Sequence, residues 1–116
     1  MKPFAAMAFA FALTAAGPVL ALTPGDAEAT LRATIADFQN GSPDYSSMTP
    51  AIAEAFRTHP EAGQKLAALG PATVIVVARK TNPFSFVVTF EGGAVMNWTI
   101  SFDEAGRIDK LDAAGR

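Results

Sequence analysis

Two runs of alternating apolar residues, separated by a short segment that contains two glycines, constrain the fold more than any other feature of the sequence. The runs are FSFVVTF, which begins at Phe84, and VMNWTISF, which ends at Phe102. Alternate side chains of a β-strand lie on the same face, so each run presents one row of large apolar side chains. The length of the loop between the runs decides whether the two rows share a face.

A two-residue turn at the glycine pair would put Trp98, the single tryptophan, on the face opposite the phenylalanines. A three-residue loop, residues 91–93, instead pairs Phe86 with Trp98 and brings eight large apolar side chains to one face. Complete burial of such side chains contributes about 1.5–3 kcal/mol each, which favours the second register. We therefore predict a three-residue loop with a left-handed glycine at Gly93 and with Trp98 packed in the core.

The segment DEAGR repeats this arrangement after the second strand. It predicts a left-handed glycine at Gly106 and places Ile108 opposite Phe102. The last strand is then short, residues 107–111, and the tail that follows it is expected to fray. A β-branched run at residues 72–80 predicts one further strand, which completes an antiparallel meander of four strands.

Helical patterns precede all of these strands. Thr23 is suited to cap a first helix that ends near Gly41, and two shorter helices are expected to begin near Thr49 and Glu61. Apolar residues at helical spacing are expected to face the core: Ala27, Leu31, Ile35, Phe38, Ile52, Ala55, Phe56, Leu66 and Leu69. The order of elements predicts an α+β fold, with two or three N-terminal helices packed on one face of the four-stranded meander.

The first 21 residues have the layout of a secretory signal peptide. A basic start at Lys2 is followed by the apolar run FAAMAFAFALTAA and by a small-residue cleavage site that ends at Ala21. We expect cleavage there, a single domain over residues 22–116, a periplasmic or secreted location, and no membrane association afterwards. An uncleaved membrane anchor is the alternative, although Gly17 and Pro18 interrupt the apolar run too near its end for a comfortable span.

Charge and composition exclude several classes of function. The chain carries nine Lys and Arg against eleven Asp and Glu and has no basic stripe, so nucleic-acid binding is not expected. The chain contains no cysteine and one histidine, which excludes a disulfide framework and the usual Cys/His zinc sites. Because motifs for a nucleophile, a phosphate loop and a dinucleotide site are also absent, we expect neither a metal nor a cofactor.

Histidine is the residue type that most readily exchanges a proton near neutral pH, and His59 is therefore the single candidate for a catalytic residue. The plainer interpretation is a partly exposed histidine at a helix end, directly before Pro60. The alternative places His59 at the mouth of a cavity, beside Tyr45 or Asp44, as a general base. The residue spacing does not select this alternative.

The segments LGPATVIVV, FVVTFEGG and NWTISFDEAGRI resemble small secreted bacterial domains with a cystatin-like or NTF2-like fold. Such domains occur alone or beside serine β-lactamase-like hydrolases. The residues that carry the resemblance are Gly70, Pro71, Gly93, Trp98 and Gly106, which mark turns and core positions. In NTF2-like enzymes an Asp or His acts as acid or base in a cone-shaped pocket. No position of this sequence matches those catalytic residues, so the resemblance assigns none.

The apolar sheet face and the lack of reactive motifs favour an exported, non-catalytic module that recognises a partner protein or a small apolar ligand. A small NTF2-like enzyme with an acid or base in a cone-shaped pocket is the alternative, and a purely structural envelope protein is a third. We place Ile75, Val77, Val87 and Val95 on the open sheet face, where an apolar patch would serve a homodimer or a partner protein. Since Trp98 is assigned to the core, functional contacts are expected elsewhere.

Overall fold

Three α-helices precede four β-strands in residues 22–116, the part of the chain that the computed structural model describes. The helices are α1 (Pro24–Gln39), α2 (Pro50–Arg57) and α3 (Glu61–Ala68), with one 3₁₀ turn at Tyr45–Ser47. The strands are β1 (Ala72–Arg79), β2 (Phe84–Phe90), β3 (Val95–Phe102) and β4 (Ile108–Gly115). This order confirms the predicted α+β fold, whereas the predicted signal peptide, residues 1–21, lies outside the described residues.

The strands form one antiparallel sheet in the order β1-β2-β3-β4, which is the predicted meander. Phe86 pairs with Trp98, as the three-residue loop requires. The Phe90 N–H donates to the Ala94 carbonyl at 2.9 Å, and Gly93 has a φ of 99°. A side chain with a Cβ rarely adopts that φ, so the glycine fixes the loop geometry and thereby the register of the two apolar rows.

The second hairpin follows the same rule. The Asp103 N–H donates to the Arg107 carbonyl at 2.9 Å across a three-residue loop, and Gly106 has a φ of 82°. Ile108 pairs with Phe102, as predicted. A bulge then shifts the register, because Lys110 pairs with Ser101 and leaves the intervening residue unpaired.

The shared face of β2 and β3 forms the core of the domain. Seven of its eight large apolar side chains are buried, and the eighth, Met96, is half-buried. Helix α1 contacts β1 and β2, and helix α2 contacts β4. The predicted core row of α1 is confirmed, since all of its members are buried: Ala27, Leu31, Ile35 and Phe38. At its start the Thr23 hydroxyl accepts from the Asp26 N–H at 3.0 Å, which completes the expected cap.

The prediction for the short helix α2 was wrong at one residue. Ala55 is exposed, whereas Ala53 is buried. Ala53 precedes Phe56 by three residues and therefore shares its side of the helix, while Ala55 points about 100° away from Phe56. The alanines of PAIAEAFR are too similar for composition to distinguish the two positions.

Strand β1 corrects the predicted surface patch. Ile75 pairs with Val88 and Val77 pairs with Phe86, so both lie on the core face rather than on the open face. The open face instead carries Val74 and Val76, which are 50% and 55% exposed. Because β1 is apolar at consecutive positions, its sequence shows no alternation, and only its pairing with β2 decides which side chains face the core.

The predicted frayed tail is also wrong. Strand β4 continues to Gly115, and the Arg116 N–H donates to the Val95 carbonyl at 3.1 Å. The bulge after Ile108 reverses the alternation of the strand, so that Leu111 pairs with Ile100 on the core face and Ala113 pairs with Trp98. The tail is thus a paired edge of the sheet.

An apolar groove between helix α3 and the sheet

An open groove of about 710 Å³ lies between α3 and the C-terminal half of the sheet, and we call it the groove. Its lining residues are mostly apolar: Phe38, Phe56, Ala62, Lys65, Leu66, Leu69, Gly93, Ala94, Val95, Met96, Trp98, Leu111, Ala113, Gly115 and Arg116. Sites for small molecules usually have volumes of about 300–1,000 Å³ and mainly apolar walls. The groove therefore has the size and the chemistry of a small-molecule site.

Helix α3 forms one wall. Ala62, Leu66 and Leu69 recur at helical spacing on the side that lines the groove, and Lys65 lies at the margin of this stripe. No residue of α3 is buried, and the helix packs on α1 rather than directly on the sheet. Its leucines are consequently only half-buried, and their remaining apolar surface faces the groove.

Hydrogen bonds hold this wall in place. The Gln39 side chain donates through Nε2 to the carbonyl of Leu66 at 2.9 Å and to the carbonyl of Gly70 at 2.7 Å. These carbonyls lie at the end of α3 and just beyond it, where helix carbonyls lack partners within the helix. On the far side, the Gly92 N–H donates to the Leu69 carbonyl at 3.0 Å, which connects α3 to the β2–β3 loop.

The sheet wall opens because the side chains of β4 become smaller along the strand. Its core-face positions beyond the bulge are Leu111, Ala113 and Gly115, which pair with Ile100, Trp98 and Met96. Leu111 is half-buried, whereas Ala113 and Gly115 are exposed although they lie on the core face. Among residues 22–116 this corner of the sheet therefore stays open, and the groove is the space beside it.

Trp98 lies where the core and the groove meet. The side chain is 3% exposed and belongs to the buried row of β3, yet it also contributes to the groove lining. Its Nε1 is the one buried side-chain nitrogen or oxygen in residues 22–116 that has no hydrogen-bond partner. Buried indole N–H groups usually have an acceptor, and a buried donor without one costs about 1–3 kcal/mol. Trp98 therefore lines the groove as well as the core, and the expectation that functional contacts lie away from it stays a prediction.

Two cations flank the groove. Lys65 and Arg116 are the ionisable side chains in its lining, and the described lining contains no acidic side chain and no histidine. The backbone hydrogen bond to Val95 fixes Arg116 at the end of the sheet wall. The ion pairs found among residues 22–116 include neither of these cations, although the charge of Lys65 contributes to the lowered pKa of Glu61, one helical turn away.

His59 lies outside the groove. It lines a smaller hollow of about 140 Å³ together with Tyr45 and Arg57, and its side chain is 66% exposed. Its Nδ1 lies 3.2 Å from Oε2 of Glu61. The Glu61 pKa is lowered chiefly by a hydrogen bond from its own backbone N–H and further by the neighbouring His59. The structure thus places His59 near Tyr45, as the general-base interpretation predicts. The side chain in direct contact with the His59 ring, however, is that of Glu61.

The predicted companion Asp44 has a structural partner of its own. Its carboxylate accepts from the Ser46 N–H at 3.2 Å and so caps the 3₁₀ turn. Arg57, the other charged residue of the small hollow, stacks over the Tyr45 ring at 4.6 Å and lies 3.6 Å from Glu54. These contacts are of the kind that stabilise a surface, with cation–π and exposed ion pairs each worth about 1 kcal/mol or less.

Sequence reasoning missed the groove because it needs residues from both ends of the domain. The apolar side of α3 was predicted from Leu66 and Leu69, but helix periodicity does not show what such a side faces. A usable signal was present in β4, where Leu111, Ala113 and Gly115 alternate with polar or small residues in the manner of a continuing strand. The decreasing size of these three residues indicates open space beside Trp98 only once the bulge is known to turn them to the core face.

Searches of protein-family models, of curated proteins and of solved structures find no match to this chain. Within residues 22–116, no group of three or more His, Asp or Glu side chains is placed to hold a metal ion. In the same residues, none of the helices has the length and apolar character needed to cross a membrane. The site is therefore interpreted from its own geometry.

Proposed function

We propose that this domain is a non-catalytic binding module that takes a small apolar ligand into the groove. The observation that carries the proposal is an apolar groove of about 710 Å³ with Trp98 in its wall. Apolar surface that stays open to water is unfavourable, and each methylene of a ligand buried there contributes about 0.8 kcal/mol.

Ala113 is the position at which the groove can be filled with least disturbance. It is exposed, it lies on the core face opposite Trp98, and it lines the groove. A leucine at this position would project into the groove without entering the packed core. Ala114 provides a matched control, because it is also exposed and pairs with Asn97 on the opposite face of the same strand.

The test uses N-phenyl-1-naphthylamine, a neutral apolar fluorophore, as the probe. We expect saturable probe emission and energy transfer from Trp98 with the wild-type protein and with Ala114→Leu. With Ala113→Leu, probe affinity should fall about tenfold or more, because a side chain that occupies the site displaces several methylene-sized contacts. Circular dichroism of each variant checks that the fold is retained.

Two results would overturn the proposal. Absence of saturable probe binding to the folded wild-type protein would remove it directly. Equal weakening by Ala113→Leu and Ala114→Leu, with both proteins folded, would place the bound probe outside the groove.

We also propose that the domain is a shortened NTF2-like or cystatin-like module and that it is exported to the periplasm or the medium. Helices that precede an antiparallel meander and pack on one of its faces support the first part. The layout of residues 1–21 supports the second part. Expression of the full chain in a Gram-negative bacterium should yield periplasmic protein that begins at Leu22 by N-terminal sequencing. Retention of the intact chain in the membrane would instead support the anchor.

A further inference from the structure

We infer that the ligand of the groove is a free fatty acid, with its acyl chain along the apolar walls and its carboxylate between Lys65 and Arg116. This inference rests on the proposed function, and it adds the charge and the shape of the ligand. Neither cation is needed to bind a purely apolar molecule. The charge of the lining is therefore the feature that discriminates between ligand classes.

The sign of the charge in the groove is opposite to that of the whole chain. The formal net charge of the chain is −2, and acidic residues outnumber basic ones. The described groove lining nevertheless holds two basic side chains and no acidic one. On a surface that is acidic overall, a site whose ionisable side chains are both cations favours an anionic group at that point.

The two cations lie on different walls of the groove. Lys65 belongs to α3, and Arg116 follows the last residue of β4 and is hydrogen-bonded through its backbone to β3. Glu61, one helical turn before Lys65, is paired with His59 at 3.2 Å. A carboxylate at the groove mouth could therefore meet an ammonium from one side and a guanidinium from the other.

The apolar part of the site matches a flexible hydrocarbon chain. Half-buried Leu66 belongs to the α3 wall and half-buried Met96 to the sheet wall, and the aromatic residues Phe56 and Trp98 are in the same lining. Methionine adapts its shape to a bound apolar partner, and aromatic faces supply a large contact area. Within the described lining, polar side chains occur only as the two cations, which suits a ligand with one polar end.

The experiment compares dodecanoic acid with dodecanol, which share a chain and differ in charge, by quenching of Trp98 emission. The protein is purified after expression of the full chain and stripped of bound lipid. We expect the acid to bind about fivefold or more tightly than the alcohol at low salt, and the ratio to shrink at high salt. Decanoic acid should bind roughly fifteenfold more weakly than dodecanoic acid, since two methylenes are lost.

Variants identify the source of the preference. Lys65→Gln with Arg116→Gln should bring the ratio of acid to alcohol affinity close to one, because the double variant weakens binding of the acid more than binding of the alcohol. Lys80→Gln is the matched control, because Lys80 is also an exposed lysine, follows β1 directly and does not line the groove. That control should keep the wild-type ratio.

The outcomes separate this inference from the proposed function. If acid and alcohol bind equally, or if the double variant keeps the preference for the acid, the inference is wrong while the apolar groove stands. If neither compound binds and the neutral fluorophore also fails to bind, the proposed function is wrong as well. Tighter binding to phosphatidylglycerol vesicles than to dodecanoic acid would assign the cations to a lipid surface and overturn the inference.

Discussion

At the scale of single residues, Trp98 shows how one side chain can belong to two environments. Loop length and apolar alternation correctly predict its pairing with Phe86 and its burial. The neighbour on its other side is Ala113, a residue too small to cover an indole. One flank of Trp98 is therefore core and the other flank lines the groove, so assignment to the core does not exclude a role in binding.

Gly63 is a second residue of structural importance, because it lies where α3 and α1 are in close contact. A Cβ built at this position of α3 would lie 2.6 Å from the Phe38 carbonyl oxygen of α1. Real Cβ atoms do not approach a backbone oxygen so closely, so a side chain here must push the two helices apart. The glycine thus sets the distance between α3 and α1, and with it the position of the groove wall.

We predict that Gly63→Ala lowers the free energy of unfolding by about 1–3 kcal/mol, a typical cost of overpacking. This sign is opposite to the gain of up to about 1 kcal/mol that alanine usually gives over glycine inside a helix. Urea denaturation followed by circular dichroism measures the change. Gly25→Ala in α1 is the control, because its Cβ would meet only the Thr23 hydroxyl at 3.7 Å, and it should be neutral or stabilising. A free energy of unfolding for Gly63→Ala that equals or exceeds the wild-type value would show that the helices are not in such close contact.

At the scale of elements, the β3–β4 hairpin depends on Asp103. Its Oδ1 accepts from the Arg107 N–H at 2.8 Å and from the Ala105 N–H at 3.0 Å, and its Oδ2 lies 3.1 Å from the Arg107 guanidinium. The hydrogen bond from the Arg107 backbone is the main cause of a lowered Asp103 pKa, and the guanidinium adds to it. The carboxylate therefore stabilises the turn in its ionised form.

A lowered pKa in the folded state means that the unfolded chain binds a proton more readily than the folded chain does. The stabilisation by Asp103 is accordingly complete above the unfolded pKa of an aspartate and is lost as the pH falls through the lower, folded pKa. We predict that Asp103→Asn reduces the loss of stability between about pH 5 and about pH 2. Thermal unfolding across this range measures the effect, with Glu104→Gln in the same loop as the control. If the stability of Asp103→Asn and that of the wild type depend on pH in the same way, the ionised Asp103 carboxylate does not stabilise the turn as stated.

Strand β1 is an edge of the sheet, and its exposed valines, Val74 and Val76, lie on the open face beside the unpaired backbone groups of that edge. Dimerisation through the open face stays a prediction. We expect the protein to form a homodimer in sedimentation velocity, and Val74→Thr with Val76→Thr to shift it towards monomer while preserving β-propensity. A wild-type protein that is monomeric at every concentration would count against dimerisation through this face.

At the scale of the whole molecule, local patterns predict the elements, and only their assembly reveals the site. Thr23, Gly93 and Gly106 each determine the backbone conformation only within a few residues of their own position. The helix cap and both hairpin loops could therefore be predicted from the sequence. The groove instead depends on where α3 stands relative to β4, and on a bulge that reverses the alternation of β4 after Ile108. A one-residue shift of this kind leaves no pattern that short-range rules detect.

The central claim is that the groove holds a small ligand, and native mass spectrometry tests it most directly. Protein from a periplasmic extract of cells expressing the full chain is measured as wild type, as Ala113→Leu and as Ala114→Leu. We predict that wild type and Ala114→Leu carry a non-covalent adduct with the mass of a small organic molecule, and that Ala113→Leu does not. A folded wild-type protein with no adduct, which also remains bare after incubation with dodecanoic acid and with the neutral fluorophore, would contradict the account.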